Sequence, residues 1–242
     1  MRRLQQASAW GFQRYQGALL GMLAGVLALT AQSAQAFSWA ALFERRTVNF
    51  ENFPLRPVQA KAEQVATRLQ AHIEDPIHVV QVNRKELSPL LAVTSAKGMC
   101  IVVLNTNPDG WAVWTRFIRD LPDAQRMDMV EVAVAHEIGH CMEVQNARTG
   151  EAQGTADSIS ALSGKTELYA DLFAGAYARL YMGDKASVPI ERLISMRRSF
   201  ADAEPSHDTA GMLTRIWAKL AKTQAIDETQ PNPHRMVMQI FR

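Results

Sequence analysis

The chain has 242 residues, 48% of them hydrophobic and 21% charged, with 13 Gly and 10 Pro. That composition excludes collagen-like, low-complexity and intrinsically disordered proteins and fits a globular one. Lys and Arg number 26 against 24 Asp and Glu, yet Arg2, Arg3 and Arg14 are the only charges in the first 36 residues. Without that segment the basic excess disappears, so the pI near 8.6 marks no nucleic-acid-binding surface.

Residues 1–36 read as a cleaved signal peptide. A basic stretch up to Arg14 precedes an uncharged apolar run over 18–29, and Ala34-Gln35-Ala36 offers the small residues of a cleavage site. The apolar run is shorter than the about 20 residues of a membrane-spanning helix, so the expectation is a periplasmic or secreted protein with no stable membrane span after cleavage. An uncleaved anchor in the inner membrane is the alternative. Residues 37–242 are then one domain.

Within it, Val58, Ala62, Val65, Ala66 and Leu69 recur at near-helical spacing and predict an amphipathic helix over 57–73. Three short segments rich in β-branched residues follow, 77–82, 90–93 and 99–104, and predict a small sheet. Asp109 can cap a helix carrying Trp111, Trp114, Phe117 and Ile118, with Trp111 and Trp114 as core, and Pro122 closes it. A helix over 124–146 is apolar on nearly every side, which makes it central and buried. A polar stretch over 147–165 reads as a surface loop, and helices follow over 166–182, 189–201 and 209–222. From about 224 the chain, with Pro231 and Pro233, reads as an irregular tail.

The chemistry lies in His136-Glu137-Ile138-Gly139-His140 on the central helix. Residues four apart share a helix face, so His136 and His140 can aim two imidazole nitrogens at one metal ion. Glu137 can then take the proton of a water that zinc has acidified, while the metal polarises the scissile carbonyl. Two buried histidines and a chance glutamate are the bland reading, but a carboxylate within an apolar helix is costly to bury without a role.

A catalytic zinc needs a third protein ligand. Glu143 and Asn146 stand where a metzincin would place glycine and histidine, which excludes that class. Downstream, Glu167-Leu168-Tyr169-Ala170-Asp171 sets two carboxylates four apart on another predicted helix. Glu167 can ligate zinc, and Asp171 can accept the N–H of a ligating imidazole and fix its tautomer. A solvated helix start with favourable N-terminal carboxylates is the alternative.

Together, H-E-x-G-H and E-x-x-A-D resemble the zinc signature of the gluzincin metallopeptidases, in particular the CAAX-prenyl and heat-shock membrane protease families. The resemblance spans about 36 residues, His136 to Asp171. It implies an α+β, zincin-like fold, mainly helical with a small sheet before the metal helix. It further implies one Zn2+ per chain on His136, His140 and Glu167, Glu137 as general base, Asp171 as orienting group, and a protein or peptide substrate. Those families carry several membrane spans and no apolar span follows residue 36 here, so the expectation is a soluble, exported relative. A weaker echo lies in Ser206-His207-Asp208 and Arg215-Ile216, which resemble the histidine and R-I pair of the same families and make His207 the donor to the oxyanion. A polar helix start is the other reading of that stretch, with Tyr169, Tyr177 and Tyr181 as substitutes for His207.

Gly139 inside a helix predicts close packing of a neighbouring element on the metal helix. The resemblance to gluzincins further implies that the segment 99–105 is the edge strand that pairs with an extended peptide substrate, and Asn105 then either holds substrate backbone or is a surface turn residue. His72, His78 and His234 read as structural or solvated. Cys100 and Cys141 are candidates for a disulfide after export, the alternative being two buried thiols. A zinc-containing binding or assembly protein without activity, and an amidase acting on cell-wall peptides, are the competing functions. An active Glu137 speaks against the first, since structural zinc is closed by four protein ligands.

Overall fold

The longest helix organises the molecule. In the computed structural model, which describes residues 55–85, 87–95, 98–149, 166–200, 208–220 and 231–240, it runs over Asp123–Thr149, and residues such as Val130, Val134, Ala135 and Ile138 are buried along it. Around it the chain order is helix α1 (Leu55–Leu69), strands β1 (Ile77–Val82), β2 (Leu90–Ser95) and β3 (Met99–Asn105), helix α2 (Pro108–Ile118), the central α3 (Asp123–Thr149), then α4 (Thr166–Tyr181), α5 (Ser187–Phe200), α6 (Ala210–Leu220) and α7 (Pro233–Ile240). The class is α+β and mainly helical. All of these residues fall within one compact unit, Val48–Arg242. The predicted signal segment, the stretch 150–165 and His207 lie outside the described residues. Among the described residues no helix is long and apolar enough to cross a membrane.

The apolar stripe of α1, Val58, Ala62, Val65 and Leu69, is fully buried and packs on α3 and β1. The sheet has the order β1-β3-β2. β1 runs parallel to β3, with Ile77 opposite Cys100 and Val82 opposite Asn105, and β2 runs antiparallel to β3, with Leu90 opposite Leu104. This corrects the edge-strand expectation: β3 is the central strand. Its run Met-Cys-Ile-Val-Val-Leu is what a strand covered on both faces requires, and Cys100, Val102 and Leu104 are fully buried. β2 is an edge strand, and it packs beside α3. A turn with Gly98 at φ +73° leads into β3, a conformation that glycine adopts at little cost.

Asn105 is not a surface residue. It is fully buried, its Oδ1 accepts from the backbone N–H groups of Arg84 and Asn107, and its Nδ2 donates to the carbonyls of Arg84 and Leu87. The side chain thus ties the connection after β1 to the end of β3. The cap of α2 is Asn107 rather than Asp109: its side chain accepts from the Asp109 N–H. The expectation of an irregular tail is also corrected, because Pro233 opens helix α7. Proline is suited to a first helical position, where its missing N–H costs nothing. Met236 and Val237 are buried, and the helix packs on α4.

Candidate metal centre

The site begins with a missing side chain. A Cβ built on Gly139 would stand 2.9 Å from Ala170 Cα, 3.1 Å from Phe173 Cβ and 3.3 Å from the Ala170 carbonyl oxygen. Glycine lets α3 and α4 meet backbone to backbone, and Glu167 and Asp171, on either side of Ala170, arrive beside His136 and His140. His136 is buried and His140 half-buried.

His136 Nε2 and His140 Nε2 are 3.2 Å apart. Glu167 Oε2 is 3.4 Å from His136 Nε2, and Oε1 is 3.5 Å from His140 Nε2. Ligands at the about 2.0–2.1 Å bond lengths of tetrahedral zinc are separated by about 3.3–3.4 Å, so each of these separations, one to each Glu167 oxygen, is close to the edge of such a tetrahedron. Two imidazoles and a carboxylate could hold a divalent ion, and among the described residues no other group of this kind forms.

His136 is oriented from behind. Its Nδ1 lies 2.9 Å from Asp171 Oδ1, so Nδ1–H donates to the carboxylate and Nε2 keeps its lone pair toward the ligand cluster. Asp171 has no exposure to solvent. Burial would push its carboxyl up, but Arg197 and His136 outweigh that and hold it well below the usual carboxylate range. It accepts further from Thr209 Oγ1.

Without a metal the two imidazoles separate. Burial opposes a proton on His136, but hydrogen bonds to Asp171 and Glu167 raise it to about 9. Burial and the neighbouring His136 lower His140 to about 4. Glu167, against the effect of burial, is held down at about 2 by His136 and Arg197. One turn beyond His140 on the same face, Glu143 is pushed up to about 7 by burial and by the charge of Glu167.

Glu137 follows His136 on α3 and is partly exposed; its charge acts on Arg197. Arg215, paired with Ile216 in the sequence reading, is an exposed residue whose Nη2 lies 3.8 Å from Met212 Sδ. The three tyrosines offered as substitutes for His207 are engaged elsewhere. Tyr169 OH lies 2.8 Å from His234 Nδ1, Tyr177 OH donates to Glu131 Oε1 at 2.8 Å, and Tyr181 OH donates to the Pro231 carbonyl. His72 Nε2 is 3.0 Å from Tyr181 OH, and His78 is exposed on β1. Trp111 is buried, with Trp114 edge-on to it. Cys100 and Cys141 form a disulfide with a Cα–Cα distance of 5.6 Å, which joins the central strand to α3 one residue past His140.

One residue of the site escaped the sequence reading. Arg197, near the end of α5, is 6% exposed. It grips both oxygens of Asp171, Nε to Oδ2 at 2.9 Å and Nη2 to Oδ1 at 2.8 Å, and its Nη2 is 2.9 Å from Glu167 Oε2. The signal was present in the spacing: Ile190, Leu193, Ile194 and Arg197 fall at i, i+3, i+4 and i+7, so a guanidinium lies on the buried stripe of an amphipathic helix. Compared with protein-family profiles, characterised proteins and solved structures, the chain matches none.

Proposed function

We propose that the protein is an exported, zinc-dependent metalloendopeptidase of zincin type. The observation that carries this is the spacing of His136 Nε2, His140 Nε2 and the Glu167 carboxylate, 3.2 to 3.5 Å apart, with Glu137 adjoining on the same helix. Zinc on these three ligands would supply Lewis acidity, lowering the pKa of water toward about 7 and polarising a peptide carbonyl.

The protein's own groups account for the rest. The Glu137 carboxylate takes a proton from the attacking water and passes it to the amine that leaves as the C–N bond breaks. Asp171 keeps His136 in one tautomer, with Nδ1 protonated. The outer edge of β2, which pairs with no other strand among the described residues, offers backbone groups to an extended peptide, the role first assigned to 99–105. His207 remains the proposed donor to the oxyanion. The Cys100–Cys141 bond supports export, because such bonds persist in oxidising compartments. Three protein ligands with an adjacent base favour catalysis over a purely structural zinc.

The test is cleavage of an unbiased peptide library by the mature protein, with and without chelator. Chelation should abolish cleavage, and Glu137→Gln should lower kcat by about 10² to 10⁴. His207→Ala should lower kcat with KM nearly unchanged. A Glu137→Gln variant cleaving at the parental rate would remove Glu137 from the base role.

A further inference from the structure

Arg197 does more than neutralise a buried carboxylate. Its guanidinium is a planar fork, and Nε and Nη2, clamped on Asp171 at 2.9 and 2.8 Å, leave it no freedom to swing. From that fixed position Nη2 also stands 2.9 Å from Glu167 Oε2 and 3.3 Å from His136 Nε2. The two Glu167 oxygens are therefore unequal. Both oxygens face an imidazole, Oε2 at 3.4 Å from His136 Nε2 and Oε1 at 3.5 Å from His140 Nε2, but it is Oε2 that the guanidinium holds in a charge-assisted hydrogen bond.

We infer that Arg197 is a positioning residue that restricts Glu167 to one-oxygen coordination of the metal, and so preserves the open position that hydrolysis needs. The inference rests on reading the cluster as the zinc site of a hydrolase. A glutamate without such a restraint can chelate through both oxygens and fill a position meant for water or substrate. With Oε2 held by the guanidinium, Oε1 is the better donor. A divalent ion and Arg197 carry three positive charges, which Glu137, Glu167 and Asp171 offset, with Glu143 a fourth carboxyl group one turn beyond His140. That balance lets a buried cation stand next to a metal site without repelling it. A lysine would not serve, because a single ammonium cannot grip both Asp171 oxygens and still reach Glu167.

The experiment measures coordination number in the full mature chain, by X-ray absorption of the zinc form and by the visible bands of the cobalt-substituted form. The parental protein should show four ligands and intense tetrahedral bands. Arg197→Gln should gain a fifth, oxygen ligand, with weakened bands and a 10–100-fold loss of activity. Arg197→Lys should not restore the parental spectrum. Zinc bound by Arg197→Gln with an unchanged coordination number and spectrum would overturn the inference, whatever the loss in thermal stability, and leave Arg197 a structural residue. Should Arg197→Gln fail to fold, the parental protein decides alone: five-coordinate metal there contradicts the restraint, and four-coordinate metal supports it. A parental protein that binds no metal would overturn both this inference and the proposed function; metal retained with unaltered coordination overturns this inference only.

Discussion

Replacing Gly139 by alanine should move Glu167, the proposed third metal ligand, without touching it. The new methyl would meet Ala170 Cα at 2.9 Å and Phe173 Cβ at 3.1 Å, whereas carbon atoms pack at about 3.5–4.0 Å. The neighbour at closest approach is backbone, so α4 must retreat by roughly 0.6–1 Å. Glu167 and Asp171 ride on that helix, and the separations of 3.4 and 3.5 Å between the Glu167 oxygens and the two imidazoles, already at the upper end of the about 3.3–3.4 Å that a zinc tetrahedron spans, would widen further. Overpacking costs about 1–3 kcal/mol and the gain in helix propensity returns about 1 kcal/mol, for a net loss of about 0–2 kcal/mol. For a protein of this size each kcal/mol lowers Tm by about 2–4 °C. Zinc affinity should fall by about 10–100-fold, as when a partner that orients a ligand is lost. The assays are thermal melting of the metal-free protein and zinc competition against a chromophoric chelator. Gly211→Ala is the control, since nothing lies within 4 Å of a Cβ there, and it should be neutral or stabilising by up to about 1 kcal/mol. If Gly139→Ala instead raised stability as the control does and left zinc affinity unchanged, the close approach of α3 and α4 would not be what places Glu167.

Two further outcomes follow from the same geometry. Removing the disulfide by Cys100→Ala with Cys141→Ala opens a loop with a sequence separation of 41 and should cost about 4 kcal/mol on the chain-entropy model, read from denaturant unfolding; a cost near zero would mean the bond does not constrain the unfolded chain. In the metal-free protein His136 is raised from 6.5 to about 9 while His140 is lowered to about 4, so at pH 7.5 the pair carries about one proton that zinc must displace. Calorimetry in buffers of different ionisation enthalpy should detect its release. The raised His136 stabilises the metal-free fold fully below pH 6.5, and that contribution is lost as pH rises through about 9. No proton release at pH 7.5 would show that His136 is already neutral.

The parts of the site carried by local spacing were legible in the sequence. His136 and His140, and Glu167 and Asp171, are pairs four apart, and a helix turns that interval into a shared face whatever surrounds it. Gly139 was legible too, as a residue whose cost in a helix needs a packing reason. Strand order was not, because neighbours in a sheet are chosen by long-range contacts; the unbroken apolar run of β3 was the one local sign that it would be central. Arg197 reads as one of two basic residues near a helix end, where cations are favoured by the helix dipole. Its place on the apolar stripe with Ile190, Leu193 and Ile194 is the one local sign that it turns inward, and its partner Asp171 is set by helix packing that no spacing names. Helix α7 is hidden in the sequence because a proline reads equally as a helix breaker and as a first helical residue, and Pro233 is the latter.

If His136, His140 and Glu167 hold zinc while Glu137 acts beside them as base, the two glutamates must respond differently to replacement. Metal content, measured by mass spectrometry on protein purified without added metal, tests it most directly when three forms are compared. About one zinc per chain is expected in the parental protein and in Glu137→Gln, and a much reduced content in Glu167→Ala. Zinc retained by Glu167→Ala and lost from Glu137→Gln would contradict it, because the two glutamates would then have exchanged the roles of ligand and base.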